Sequence, residues 1–423
     1  MSEERFVFTS GAKKKLIYLA LAGVGLTVLG IILLNVMSHG HGDDGHGEHG
    51  GHAFHWIQRV YVNLWLNNVY FVGIGIIGVL FLAFNYAAQA GWSAYIKRIP
   101  ESFGYWLPFA GILTLVLYFV TNYSAPGHFH IFHWLDHSLY EEGTETYDSI
   151  IAGKKGYLNQ TFFLIRMFAY FILWFGMWKL IRNQSIKEDL EGGTDKYWKM
   201  RSLSAIFIVI FAVTSSTSAW DWVLSIDTHW FSTMFGWYNF ASWFVAGLSA
   251  ITLILVVLHD LGYFPELNSN HLHDLGKFIF GFSIFWTYIW FSQFMLIYYA
   301  NIPEETVYFI ERMTSGVYGP FFYVNIIINF IFPFLFLMTR DAKRHKIFLK
   351  IVCVVLLAGH WLDFWLMVTP GTLKENGGIG FIEIGISMVF ISGFLAVVLS
   401  GLSKTALIAR NHPMMEESLH HHV

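Results

Sequence analysis

Apolar residues run in ten long stretches separated by short polar segments, at 16–37, 64–88, 106–123, 158–181, 203–225, 237–261, 275–299, 319–339, 347–369 and 381–402. A helix needs about 20 such residues to cross the hydrocarbon core of a bilayer. None of the runs shows the alternation of a membrane barrel strand. The pattern predicts an all-α polytopic membrane protein with about ten transmembrane helices. The first run follows Lys13, Lys14 and Lys15, and it is too long for the apolar part of a signal peptide, so it reads as an uncleaved anchor. With the N-terminus inside, the inner segments carry seventeen Lys and Arg and the outer loops only five: Arg59, Lys154, Lys155, Arg312 and Lys374. The positive-inside rule then puts both termini in the cytoplasm.

The runs also resemble one another. Phe162-Phe163-Leu164-Ile165-Arg166 aligns with Phe321-Phe322-Tyr323-Val324-Asn325, and Tyr170-Phe171-Ile172 with Asn329-Phe330-Ile331. In the spans that follow, Trp220-Asp221-Trp222 aligns with Leu362-Asp363-Phe364. The matched helices run in the same direction, which predicts a parallel duplication of a four-helix bundle. The chain then divides into an anchor helix (1–37), a His/Gly-rich outer loop (38–63), a first repeat (64–225), a second repeat (226–369), and a last span with its tail (370–423).

Within such runs an ionisable residue is costly, so each is a candidate site. Thr214, Ser218, Asp221 and Ser225 recur at helical spacing and share one face, which suits a proton relay or hydroxyls bonded to their own backbone. Arg166, on the preceding helix, falls about one turn from the depth of Asp221, within reach of an ion pair. In the second repeat His360 and Asp363 lie one turn apart, a pair suited to accepting and releasing a proton. Asn325, Asn329 and Tyr170 are the polar neighbours able to support these groups, and Glu383 opens the last span beside Ser387. The proton-pathway candidates are therefore Asp221, Asp363, His360, Arg166, Ser218, Thr214 and Glu383. No residue is assigned a catalytic or metal-binding role.

Composition narrows the chemistry. Charged residues make up 13% of the chain and the net charge is −3, which leaves no basic stripe for nucleic acid. The single cysteine, Cys353, excludes an intrachain disulfide, a Cys-ligated cluster and covalent haem attachment. Only His360 lies deep in a span, too few histidines for a bundle cytochrome. Ten of the 20 histidines sit in two outer loops. The run from His39 to His52 reads as a flexible polar loop, with metal binding as the lesser alternative. The segment holding His128, His130, His133 and His137 reads as surface-lying or as a docking face.

The layout, the Lys-rich start, the His/Gly outer loop and the motifs Ala219-Trp220-Asp221-Trp222 and His360-Trp361-Leu362-Asp363-Phe364-Trp365 together resemble the NrfD/polysulfide-reductase membrane subunits. Among these, the chain is most similar to the ActF-type subunits of alternative complex III, a bacterial quinol:cytochrome c oxidoreductase. The resemblance implies an inner-membrane subunit that supports quinol oxidation and conducts protons. It implies partners: a second NrfD-like subunit, multihaem cytochrome c, and subunits that carry the iron–sulfur clusters. This chain would bind no cofactor of its own, with quinol a candidate ligand and lipid all around. A secondary transporter of ions or small solutes, or a purely structural anchor, are the competing classes.

Overall fold

In hydrocarbon every backbone N–H and C=O must find its partner within the chain, and the helix does this locally. The computed structural model describes residues 5–40, 55–124 and 129–422. Among them every regular element is helical, apart from one isolated bridge between Arg5 and Ala406. The helices are α1 (Ser10–Gly40), α2 (Trp56–Ala87), α3 (Arg98–Phe103), α4 (Trp106–Tyr123), α5 (Ser149–Lys154), α6 (Gln160–Glu191), α7 (Asp195–Trp222), α8 (Phe235–Asp260), α9 (Ser269–Ala300) and α10 (Pro303–Thr314). They continue with α11 (Gly319–Ile326), α12 (Phe332–Phe336), α13 (Arg340–Arg344), α14 (Lys346–Leu373), α15 (Phe381–Leu402) and α16 (Met415–Leu419). Ten segments among the described residues are long and apolar enough to cross a membrane, and the protein is a multi-pass membrane protein. The His/Gly-rich loop from residue 41 to 54, and His128, lie outside the described residues.

α2 and α8 are buried along almost their whole length and form the centre of the molecule. Around them, α4, α6 and α7 close a bundle with α2, while α9, α11 and α14 close one with α8. α1 lies at the edge against α15. Small residues set the closest approaches, as expected where lipid supplies no drive to associate and packing decides. A side chain at Gly73 of α2 would overlap the Trp243 ring of α8, and one at Gly385 of α15 would meet the Gly23 carbonyl of α1.

Two prolines perturb the regular ladder. Pro333 lies in the span formed by α11 and α12, and the turn before it (Ile327–Ile331) widens into a π-helix. Pro370 lies inside α14 and withholds the N–H that Leu366 would otherwise accept. The α9–α10 turn is sharp for a local reason. Asn301 takes the left-handed conformation (φ 49°) that ends α9, and Pro303 starts α10.

Both described ends of the chain lie on one side, here called the basic face. There several of the loop cations are buried, Lys97, Arg98 and Arg182 among them. Lys97 bonds Glu188 at 2.6 Å and the Tyr86 hydroxyl at 2.8 Å. Arg98 reaches Glu101 at 2.8 Å and also Asp189, and Arg182 reaches the other Glu101 oxygen at 2.9 Å. The tail closes over this cluster, with Arg410 N–H and the Asn411 side chain bonding Asp189. Farther on, His421 reaches Asp274 at 2.6 Å. Burial, with Lys97 and Arg98 nearby, pushes His412 down to about 2, so it packs as a neutral ring against Tyr86 and Tyr197. Glu101→Gln deprives two buried arginines of a shared counter-ion. It is expected to cost about 3–5 kcal/mol, read as a lower thermal midpoint of the detergent-solubilised chain.

Candidate functional site

Asn159 caps α6 by accepting the Phe162 N–H at 2.9 Å. Arg166 follows, and its Nε and Nη2 fork onto the two oxygens of Asp221, each at 2.8 Å. The Tyr170 hydroxyl donates to the same carboxylate at 2.7 Å. Arg166 also stacks on the Tyr157 and Phe162 rings and donates to the Tyr157 carbonyl. The pair is closed. The hydroxyls of the Asp221 face do not link into a relay. Thr214 donates to the Ile210 carbonyl, Ser218 to Ser215 and Ser225 to Asp221, all within or just beyond α7.

Asp363 on α14 is equally buried, but its surroundings differ. Trp286 of α9 donates to Oδ2 at 2.9 Å, and Asn325 of α11 donates to Oδ1 at 2.9 Å. The Tyr238 hydroxyl of α8 also donates to Oδ1. Asn329, in the π-turn, holds the Asn325 oxygen at 2.6 Å and the Gly359 carbonyl at 3.0 Å. Every donor to this carboxyl is neutral. One turn toward the basic face, His360 Nδ1 lies 3.0 Å from the Ser242 hydroxyl. Its Nε2 is buried with no hydrogen-bond partner among the described residues, and the same holds for the hydroxyls of Ser283 on α9 and Thr252 on α8. Such atoms are expensive in an apolar interior unless solvated.

On the opposite side of Asp363, a cavity of about 20 Å³ is walled by Tyr238, Asn325, Trp230, Tyr308 and Arg312, among others. That is room for one water. Arg312 is buried at the end of α10 and takes over the carbonyl that Pro370 leaves without a donor: Nε bonds Leu366 O at 2.8 Å and Nη2 bonds Met367 O at 3.2 Å. Nη2 also bonds Asp227 at 2.7 Å. The guanidinium lies 3.4 Å from the Tyr308 ring centre, and that ring stacks on Trp230 at 3.8 Å. Beyond the Trp230–Tyr308 pair opens a vestibule of about 610 Å³ lined by Asp227, Glu304, Glu311, Lys374, His130, His133 and His229. Burial raises the Glu311 carboxyl above its ordinary value, against the pull of Lys374 and Arg312. Burial likewise lowers His133, which keeps that ring neutral.

Arg166, Tyr170 and Asp221 thus come together, as do Asp363, Asn325 and Asn329, with His360 adjacent. Aligned positions make the same contact, since Arg166 meets Asp221 where Asn325 meets Asp363. Glu383 is fully buried and fully engaged elsewhere. Arg59 forks onto it at 2.6 and 2.8 Å, with Asn63 and the Gly380 N–H completing the set. Sequence reasoning did not single out Tyr238, Trp286, Asp227 or Arg312. Arg312 had one available signal, a short amphipathic helix started by Pro303 whose last turn bears the charge.

No protein-family model and no curated protein matches the chain. The geometry predicts a contrast between the two acids. Asp221→Asn strands Arg166 and is expected to cost about 3–5 kcal/mol. Asp363→Asn leaves no cation alone and should cost no more than about 1–3 kcal/mol. Chemical unfolding of the two variants in detergent reads the difference, and equal losses would refute it.

Proposed function

We propose that the chain is an integral membrane subunit of a bacterial respiratory quinol:electron-acceptor oxidoreductase, of the alternative complex III type, and that it conducts protons through Asp363. One observation supports the proton reading above the others. Asp363 is a fully buried carboxyl with only neutral donors, one water-sized cavity from an aqueous vestibule. A carboxyl held by neutral donors can change protonation state without stranding a partner charge. His360 and the unpartnered Ser283 and Thr252 hydroxyls add further polar groups on α14, α9 and α8, and the reading places the basic face in the cytoplasm. Arg166–Asp221 and Arg59–Glu383 are then structural pins. Electrons travel on the haem c and iron–sulfur groups of partner subunits, and this chain supports quinol oxidation by moving the protons it releases.

In the assembled complex, Asp363→Asn is expected to lower proton release per quinol oxidised while electron transfer persists. Unchanged release in a variant that assembles normally would refute proton conduction. Co-purification of c-type haem subunits with the untagged chain tests the respiratory assignment. A colourless chain that alone drives solute uptake into liposomes would replace that assignment with a transporter.

A further inference from the structure

Arg312 lines the 20 Å³ cavity, and two carboxyls are linked to that cavity's wall. Asp227 pairs with it directly and lines the vestibule. Asp363 stands behind Tyr238 and Asn325, which wall the same cavity as Arg312. Leu366, whose carbonyl anchors Arg312 Nε, follows Asp363 by one turn of α14, about 4.5 Å along the axis. The guanidinium is therefore held against Asp227 and against the Pro370-interrupted turn of the same helix that carries Asp363.

In the first bundle the arginine sits on the acid itself. In the second bundle the aligned position is Asn325, and the buried cation that lines the adjacent cavity, Arg312 of α10, rests on a different carboxylate. An ionised Asp363 with neutral donors alone would be a net charge in low dielectric. A cation one turn away, with a flexible side chain and an adjacent cavity, is the available remedy.

Resting on the proton reading above, we propose that Arg312 is a two-position counter-ion. It pairs with Asp227 while Asp363 is protonated, and it crosses to Asp363 as that acid ionises. The proton lost from the Asp363 carboxyl crosses the cavity to the Asp227 carboxylate, which Arg312 has just released. Asp227 then gives the proton to the vestibule. Up to the transfer to Asp227 the three groups hold one positive charge, one negative charge and one proton, so their sum is zero. The release to the vestibule then leaves one net negative charge, which reprotonation of Asp363 cancels as Arg312 returns to Asp227. The charge left uncompensated by that release is the Asp227 carboxylate, which lines the vestibule rather than the apolar interior. The stack of Trp230 on Tyr308 keeps the vestibule and the cavity apart, so the proton passes by way of the carboxylates rather than through continuous bulk water.

Other charged or titratable groups face this exchange. On the Arg312 side they are Glu311 and Tyr308 of α10, Lys374 after α14, and Tyr318 before α11. On the Asp363 side they are Tyr238 and His360. None of these is a second cation within contact of Asp363.

The test follows the Asp363 carboxyl band by infrared spectroscopy across pH in the full chain reconstituted in liposomes, with Asp363→Asn to identify the band. Asp227→Asn sends Arg312 permanently to Asp363, and the band midpoint is expected to fall by about 1–3 pH units. In the Arg312→Gln background the same substitution should no longer move it. A shift of equal size in that background would reflect simple removal of a negative charge and would overturn the exchange, as would no shift in either. Arg312→Lys provides a second arm, because its shorter reach should raise the midpoint, and an unmoved midpoint counts against the proposal. An Asp363 that titrates and conducts but ignores Arg312 sinks the exchange alone. An Asp363 whose replacement leaves proton flux intact sinks the conduction reading beneath it.

Discussion

A charge placed in hydrocarbon must be balanced within a few ångströms or it will not stay charged. That constraint sorts the acids of this protein. Asp221 and Glu383 each receive a forked arginine, at 2.6–2.8 Å, and have no freedom left. At the basic face, three cations and three anions neutralise one another under a folded tail. Asp363 alone among these buried acids is held by an indole, an amide and a phenol. The first two arrangements fasten helices. The third leaves the acid without a fixed counter-ion.

Backbone irregularity supplies what the regular helices cannot. A helix in lipid uses up its own polar groups, so a side chain that needs a buried acceptor must find a place where the ladder is interrupted. Pro370 creates one at Leu366, and Arg312 fills it. Ahead of Pro333, the π-turn brings Asn329 to hold Asn325 against Asp363. Both prolines therefore lie beside the acid that lacks a counter-ion. Their effect is local and specific: each adds one polar partner to the region around Asp363.

The helical architecture was legible because apolar length and helical period are properties of single segments. The Arg166–Asp221 pair was within reach of arithmetic on depth, and Asn325 followed from aligning the two spans. Spacing placed Thr214 and Ser218 on the Asp221 face, yet it could not tell a relay from hydroxyls bonded to their own helix, and the structure has the latter. Tyr238 and Trp286 were not legible. In a chain with 17 Trp and 21 Tyr, an aromatic facing an acid looks like any other until the helices are packed. Arg312 was hidden by its location. As one of five outer-loop cations it looked like a topological charge, and only the fold of α10 against α14 buries it.

The difference between the two bundles follows from one aligned position. An arginine at 166 binds its acid so closely that releasing a proton to or from it would require breaking a buried fork. An asparagine at 325 makes the equivalent contact with no charge, and it leaves Asp363 dependent on more distant groups. Those groups lie toward the vestibule on one side and toward His360 on the other. The two sides of the acid differ in the groups they present. On the vestibule side stands a carboxylate beside an arginine. On the other side stands an imidazole whose Nε2 has no partner among the described residues. The exchange of arginine for asparagine at one aligned position is what leaves Asp363 with two unequal polar neighbourhoods in place of a fixed counter-ion.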